Sequence, residues 1–133
     1  MAKTSEQMLV DSDVFVAWLM PDDLLHKEAE KKLSELEKKE TPLVMTNWVL
    51  AETATVLSYR AGHRVAVEFL ENMERMGFEI AWTGEKAFAA AVNLFKRQKK
   101  RGTSMVDCIN VAVAKERGIT EIVSFDRFYK SVV

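Results

Sequence analysis

Hydrophobic and polar positions follow two different spacings along the chain, and the change from one to the other predicts where strands and helices lie. Short, mostly apolar stretches predict buried strands at residues 8–10, 41–46, 78–83 and 121–125. Between them, apolar residues recur every three or four positions among charges, which predicts helices over 20–40, from 46 or 47 to about 60, and over 63–77, 84–102 and 103–118. The segment after residue 125 has an ambiguous pattern.

Turn and cap residues indicate where these helices begin and end. Pro21, followed by two aspartates, is a favourable helix start, and Gly102 and Gly118 are favourable helix ends. Thr103 or Ser104 is expected to cap the helix over 103–118, because a hydroxyl oxygen there accepts a hydrogen bond from an unpaired backbone N–H.

Strands that alternate with helices predict an α/β fold in which right-handed crossovers build a parallel sheet. We therefore expect a three-layer α/β/α sandwich with a mainly parallel sheet of four or five strands. No linker, repeat or low-complexity stretch appears, so residues 1–133 are expected to form a single domain. In open sheets of this kind, sites form beyond the carboxyl ends of the strands, which is where Asp11 and Asp126 fall.

Composition and charge limit the function classes. The chain has 19 basic and 20 acidic residues and a formal net charge of -1, so nucleic-acid or membrane binding would have to come from a local patch. Cys108 is the only cysteine, which excludes a disulfide within the chain and fits a reducing compartment. No apolar run approaches membrane-spanning length, and the start lacks the apolar core of a signal peptide. A cytoplasmic protein is expected.

Isolated acidic residues are the main sign of chemistry. Asp11 and Asp13 are the only charges in residues 7–21, Glu52 is the only one in 41–59, Asp107 is the only one in 102–114, and Asp126 follows the last strand. Carboxylates drawn into one crevice repel each other unless a cation neutralises them. Oxygen ligands suit Mg²⁺ or Mn²⁺, and two separated histidines with one cysteine do not make a zinc site.

Each acid also has a purely structural interpretation. Asp11 or Asp13 could cap the helix that follows the first strand, and Asp107 suits the positive end of its own helix. Asp126 could pair with the arginine beside it or open a turn, and Glu52 could point to solvent. The joint pattern of four isolated acids is what favours a shared site.

Four segments together resemble the PIN domains, and particularly the VapC-type toxin ribonucleases. They are "LVDSDVFVAWL", "TNWVLAETATVL", "SMVDCINVAVAKERGI" and "EIVSFDRFY", and they occur in the family's order over nearly the whole chain. Each is one acid in an apolar context, and the combination of four at family length is more specific than any one. The resemblance implies a PIN-like fold and a toxin of a type II toxin–antitoxin pair that hydrolyses RNA phosphodiesters.

The same resemblance implies which residues act. Metal-binding and catalytic acids would be Asp11, Glu52, Asp107 and Asp126, holding one or two Mg²⁺ or Mn²⁺ ions. Accessory positions would be Asp13, Ser12 and a hydroxyl at Thr103 or Ser104. Many relatives carry a further acid after the fourth, and "DRFYK" supplies none. Relatives commonly form dimers and are inhibited by a small antitoxin, so a homodimer, an antitoxin partner and an RNA substrate are expected.

The basic segment "KRQKKRG" is a candidate contact for the RNA backbone. Its charged residues are Lys96, Arg97, Lys99, Lys100 and Arg101. Lysine and arginine release counterions from nucleic acid when they bind phosphates. The alternative is a solvated helix end whose positive charge suits the helix dipole.

Two other functions fit part of the pattern. "DSDVF" also resembles the Asp-x-Asp motif of haloacid-dehalogenase-type phosphatases, in which Asp11 would be the nucleophile and Asp13 the general acid/base. A non-catalytic RNA-binding PIN module is the third reading, although all four acids are present. Transfer, ribosomal and messenger RNA all remain open as substrates.

Overall fold

The computed structural model describes residues 6–132, without the side chains of residues 74, 131 and 132. The first half of the chain forms β1 (Met8–Val10), α1 (Ser12–Leu19), α2 (His26–Lys38), β2 (Leu43–Thr46), α3 (Asn47–Ala61) and α4 (His63–Arg75). The second half forms β3 (Glu79–Ala81), α5 (Glu85–Arg97), α6 (Met105–Arg117), β4 (Ile122–Val123) and α7 (Phe128–Val132).

The four strands form one sheet in the order β3-β2-β1-β4, and every pairing is parallel. Leu9 pairs with Val44 on one side and with Ile122 on the other. The parallel sheet and the helices that alternate with its strands confirm the predicted fold class, with four strands rather than five.

Side chains alternate across the sheet and divide the core into two layers. Val10 and Met45 face the layer that holds buried residues of α1, α2, α3 and α4. Leu9 and Val44 face the other layer, which α5, α6 and α7 complete. Helices therefore cover both faces, and all strands point their carboxyl ends to one edge, where the candidate site lies.

Two predicted helices have different limits in the structure. The helix predicted over 20–40 is wrong at its start, because α2 begins at His26 and the carboxylate of Asp23 accepts a hydrogen bond from Leu25 N (2.9 Å), which holds a turn there. The helix predicted over 84–102 ends at Arg97, five residues before the expected Gly102. Gln98 is extended, and its side-chain amide donates to the Leu94 carbonyl at the end of α5.

The other elements lie within a few residues of their predicted limits. Thr46 caps α3 through its hydroxyl, Ser104 caps α6, and Gly118 ends α6 in the left-handed conformation that glycine favours (φ +70°). The ambiguous tail forms the short helix α7. No helix in residues 6–132 is both long enough and apolar enough to cross a membrane.

Candidate active site

Asp11 is placed by the end of β1 and by the start of α1. It caps α1, since its Oδ1 accepts a hydrogen bond from Ser12 N at 2.8 Å. The same oxygen accepts from Asn110 Nδ2 at 3.0 Å, and Oδ2 accepts from the hydroxyls of Tyr129 (3.0 Å) and Ser124 (3.2 Å). The side chain is only 4% exposed. Asp11 therefore does cap α1, and this contact orients its carboxylate toward groups from three other parts of the fold.

Asp107 is fixed by a capping box at the start of α6. Its backbone N–H donates to Ser104 Oγ, and its Oδ2 accepts from Ser104 N, both at 3.0 Å. The other carboxylate oxygen, Oδ1, lies 3.1 Å from the Tyr129 hydroxyl. Asp107 therefore has the structural role at the start of α6 that its position suggested. Its second carboxylate oxygen takes no part in the capping box and faces Tyr129, which also contacts Asp11. Of the two predicted hydroxyl residues, Ser104 is the cap.

The sequence prediction missed Asn110 and Tyr129, whose side chains connect the Asp11 and Asp107 carboxylates. Asn110 is fully buried, and its amide nitrogen donates to both Asp11 Oδ1 and the Tyr129 hydroxyl (2.9 Å). The hydroxyl of Thr46 lies 3.4 Å from Asn110 Oδ1 and donates to it. Asn110 stands three positions after Asp107, on the same face of α6. That spacing, in an otherwise apolar helix, was the signal available in the sequence.

Glu52 and Asp126 lie at the same edge of the sheet without joining the Asp11–Asp107 pair. Glu52 is half-buried and accepts a hydrogen bond from the hydroxyl of Ser12, the residue after Asp11. Asp126 is exposed, and its Oδ1 accepts from Phe128 N at 2.9 Å at the start of α7. In the described part of the chain, no three or more His, Cys, Asp or Glu residues are grouped closely enough to hold an ion.

Asp13 binds the loop that follows β4. Its Oδ2 accepts hydrogen bonds from Phe125 N (3.0 Å) and from Ser124 Oγ (3.1 Å). Ser124 Oγ in turn accepts from Asp126 N at 3.0 Å. Asp13 thereby holds the segment that carries the fourth acid. It does not cap a helix at Val14, because α1 begins at Ser12 and Asp11 is its cap.

Burial and mutual repulsion dominate the electrostatics. Burial, reinforced by the negative charges of Asp13 and Asp107, raises the pKa of Asp11 to about 7. Burial raises the pKa of Asp13 as well. Burial and the two nearby carboxylates raise the pKa of Tyr129, so its hydroxyl stays protonated and acts as a donor. Among residues 6–132, none of the ion pairs involves Asp11 or Asp107.

The donor set of this pair fits a small, hard cation. Two carboxylates from separate elements meet at one hydroxyl, without a basic partner to neutralise them. Mg²⁺ is commonly held by one or two carboxylates while it keeps several waters, so a pair is sufficient. Asp11 and Asp107 are the residues that would hold such an ion.

The basic segment divides into two parts. Lys96 and Arg97 belong to the last turn of α5, which agrees with the helix-end interpretation. Lys100 and Arg101 lie in the following loop, where they line a small cleft together with Asp126. Thr103 lines the same cleft, and Lys99 lies in the exposed loop between these parts. The loop part is therefore next to a candidate site residue.

A four-stranded parallel sheet with buried acids at its carboxyl edge defines a class of α/β domain, and comparison with known proteins gives the family. Residues 8–132 match the PIN domain family. The chain belongs to this family. It is 33% identical over 124 residues to the 23S rRNA-specific endonuclease VapC20 of Mycobacterium tuberculosis, covering 90% of this chain and 88% of that protein.

Solved structures agree with this assignment. The crystal structure of Mycobacterium tuberculosis VapC20, a Sarcin-Ricin loop cleaving toxin, superposes with a TM-score of 0.82 at 26% identity over 93% of each chain. VapBC2 of Rickettsia felis, bound to a promoter DNA fragment, has the same fold with a TM-score of 0.70 at 16% identity, over 95% of this chain and 92% of that one. The predicted family, fold class and VapC-type endoribonuclease class are confirmed. The extent of a single domain over 1–133 stays a prediction.

Proposed function

We propose that this PIN-domain protein hydrolyses RNA phosphodiester bonds with Mg²⁺ or Mn²⁺ held by Asp11 and Asp107. One observation carries the proposal: two buried carboxylates, far apart in the chain, meet at a single hydroxyl, and no basic side chain in residues 6–132 forms an ion pair with either. Keeping two such charges together is unfavourable unless a proton or a cation is added. A divalent cation suits the oxygen-only donors.

The residues of the chain divide the work in this proposal. Asp11 and Asp107 hold the ion, and Glu52, adjacent through Ser12, orients the attacking water or adds a ligand. Asp126, which lies apart from that pair, contacts the ion's waters or holds a second ion, close to Lys100 and Arg101, which contact the RNA backbone. When bound, the metal ion supplies charge neutralisation on the phosphate and a lower pKa for the attacking water.

Ribosomal RNA is the first substrate to test, because VapC20 acts on 23S rRNA. We also propose an antitoxin partner, since VapC20 is a toxin. Leu24 and Tyr59 are 100% and 88% exposed. They flank the Asp23–Arg60 ion pair, so they offer apolar surface to such a partner at one place.

A homodimer is proposed from a second apolar surface. Trp82 is 74% exposed, and the Trp48 and Phe88 rings, both partly exposed, lie 5.9 Å apart. Light scattering of wild type and Trp82→Ser at equal concentration tests this, and a dimer that survives the substitution would exclude Trp82 from the interface. The cytoplasmic location expected from the sequence stays a prediction.

The phosphatase alternative is disfavoured by the position of Asp13. A general acid/base needs access to the substrate, whereas Asp13 is engaged with Ser124 and Phe125 in the loop after β4. Cleavage of RNA is the property that distinguishes the nuclease from a non-catalytic PIN module.

Cleavage of RNA by the purified full chain tests the proposal. Three proteins are compared: wild type, Asp11→Asn and the matched control Asp22→Asn, which changes an exposed acid. Each is incubated with ribosomes, transfer RNA or messenger RNA, either with added Mg²⁺ or Mn²⁺ or with a chelator. We expect cleavage by wild type and the control only, and only with metal. Cleavage that persists in Asp11→Asn or in chelator would refute the mechanism, and absence of cleavage of any RNA class by wild type would favour the binding module.

A further inference from the structure

The Tyr129 hydroxyl lies between the two carboxylates that would hold the cation. It is 3.0 Å from Asp11 Oδ2 and 3.1 Å from Asp107 Oδ1. Its side chain is only 5% exposed, so water does not readily take the place of these contacts. We infer that Tyr129 is a positioning residue, whose hydroxyl holds the Asp11 and Asp107 carboxylates in the arrangement that binds the metal ion. This inference rests on the proposed function.

The orientation of the hydroxyl is set from a second direction. Asn110 Nδ2 donates to the Tyr129 oxygen at 2.9 Å and, through its other N–H, to Asp11 Oδ1 at 3.0 Å. The acceptor end of the same amide faces the hydroxyl of Thr46. An amide with its oxygen engaged on one side has both N–H groups on the other. Asn110 therefore directs the hydroxyl, and Thr46 directs Asn110.

The single proton of the Tyr129 hydroxyl explains why a hydroxyl suits the position between Asp11 and Asp107. A phenol has one proton to donate, so it can pair with Asp11 or with Asp107, and its oxygen accepts from Asn110 in either case. Ser124 stands in the same relation to Asp11 and Asp13, at 3.2 Å and 3.1 Å. Both hydroxyls that contact Asp11 Oδ2 thus have a second carboxylate to donate to. Asp11 Oδ2 can turn to a cation without leaving either hydroxyl unpaired.

Phenylalanine at position 129 removes the oxygen and keeps the ring. The carboxylates then lose the hydroxyl proton that either of them can accept. Asp11 keeps its contacts with Ser12 N, Asn110 and Ser124, and Asp107 keeps its capping box, but no group contacts both. Groups that orient metal ligands change metal affinity by about 10–100-fold when they are removed. We expect a Kd for Mn²⁺ that is weaker by a factor in this range. A hydroxyl that merely occupied the space of the ion would give the opposite result, a tighter Kd.

The experiment is titration of Mn²⁺ into the full chain, followed by calorimetry and by loss of the free-ion electron paramagnetic resonance signal. The matched control is Tyr59→Phe, since Tyr59 is the only other tyrosine and is 88% exposed. Thermal unfolding of each protein without metal verifies that it is folded. We expect Tyr129→Phe to bind Mn²⁺ about 10–100-fold more weakly, while Tyr59→Phe matches wild type.

RNA cleavage over a range of Mn²⁺ concentrations gives an independent measure. A positioning role shifts the half-saturating Mn²⁺ concentration of Tyr129→Phe and restores kcat near the wild-type value at saturation. Equal or tighter Mn²⁺ binding by Tyr129→Phe overturns the role of Tyr129 alone. Absence of saturable Mn²⁺ binding by wild type overturns both this role and the proposed metal-dependent function.

Discussion

The carboxylate of Asp13 accepts a hydrogen bond from the backbone N–H of Phe125 at 3.0 Å, across 112 positions of the sequence. This contact ties the start of α1 to the loop that carries Asp126. Asp13→Ala leaves the Phe125 N–H without its acceptor and should lower the free energy of unfolding by about 1–3 kcal/mol. Asp13→Asn retains an oxygen acceptor and should cost less. Urea denaturation measures both.

The same pair of variants separates two chemistries. For a metal-dependent nuclease, Asp13→Asn should retain most RNA cleavage, since the residue anchors a loop. A phosphatase with Asp13 as its acid/base would lose activity in both variants. Equal stability of Asp13→Ala and wild type would contradict the anchoring role.

Asp11 should make the metal-free protein less stable as pH rises. Its pKa is raised from 3.8 in the unfolded chain to about 7 in the folded one, so the folded state binds the extra proton between these values. Stability is therefore greatest below about pH 4 for this group and falls as pH rises toward 7. The full shift corresponds to at most about 4 kcal/mol.

Asp11→Asn removes this dependence. The amide keeps an oxygen for Ser12 N and carries no charge, so we expect a higher unfolding temperature than wild type at neutral pH in chelator. The two proteins should converge near pH 4. A wild-type stability that does not change between pH 4 and 7, relative to Asp11→Asn, would show that the carboxylate is not destabilised by its surroundings.

Asn110→Ala should be destabilising although no charge changes. It removes one buried hydrogen-bond partner each from Thr46, Asp11 and Tyr129, and the expected cost is about 2–4 kcal/mol. The exposed Asn72 of α4 gives the matched control, because Asn72→Ala should be neutral or slightly stabilising in a helix. Thermal unfolding compares the two, and similar effects would contradict the central place given to Asn110.

The basic loop should contribute to RNA affinity through charge. Replacing Lys100 and Arg101 together by alanine should weaken RNA binding and reduce the slope of log K against log salt by roughly 1.4–1.8, if each contacts one phosphate. Fluorescence anisotropy over a salt series measures this. Lys38→Ala with Lys39→Ala, at the end of α2, is the control, and an equal change in slope there would mean that the effect is not specific to the loop.

Much of this fold could be predicted because its signals are local. Alternation and helical spacing give the strands and helices, and Ser104 and Gly118 give the ends of α6. The error at Asp23 arose because one side-chain contact to Leu25 N decided between a turn and a helix. The early end of α5 had a similar cause at Gln98. Such choices differ by little free energy. The turn at Asp23 is also held by Arg60, 37 positions away, which the local sequence does not display.

The site was predictable in part for the same reason. Asp11 and Asp107 are conspicuous as isolated acids, and the sequence correctly assigns them to the end of β1 and the start of α6. Tyr129 follows an ambiguous segment, and an aromatic residue in a tail gives no sign that its hydroxyl will reach a carboxylate 118 positions away. Only the docking of α7 on α6 reveals it. The metal-binding and catalytic roles of the four acids stay predictions.

β4 pairs with β1 through two residues, Ile122 and Val123, and it is the edge strand of the sheet. The segment beyond it supplies Ser124 and Tyr129, so one wall of the carboxylate pair is carried by the shortest strand of the sheet. Local opening there costs less than global unfolding. In native-state amide exchange, protons of this segment should therefore be lost before those of α6, and this edge of the sheet would open while the rest of the domain stays folded.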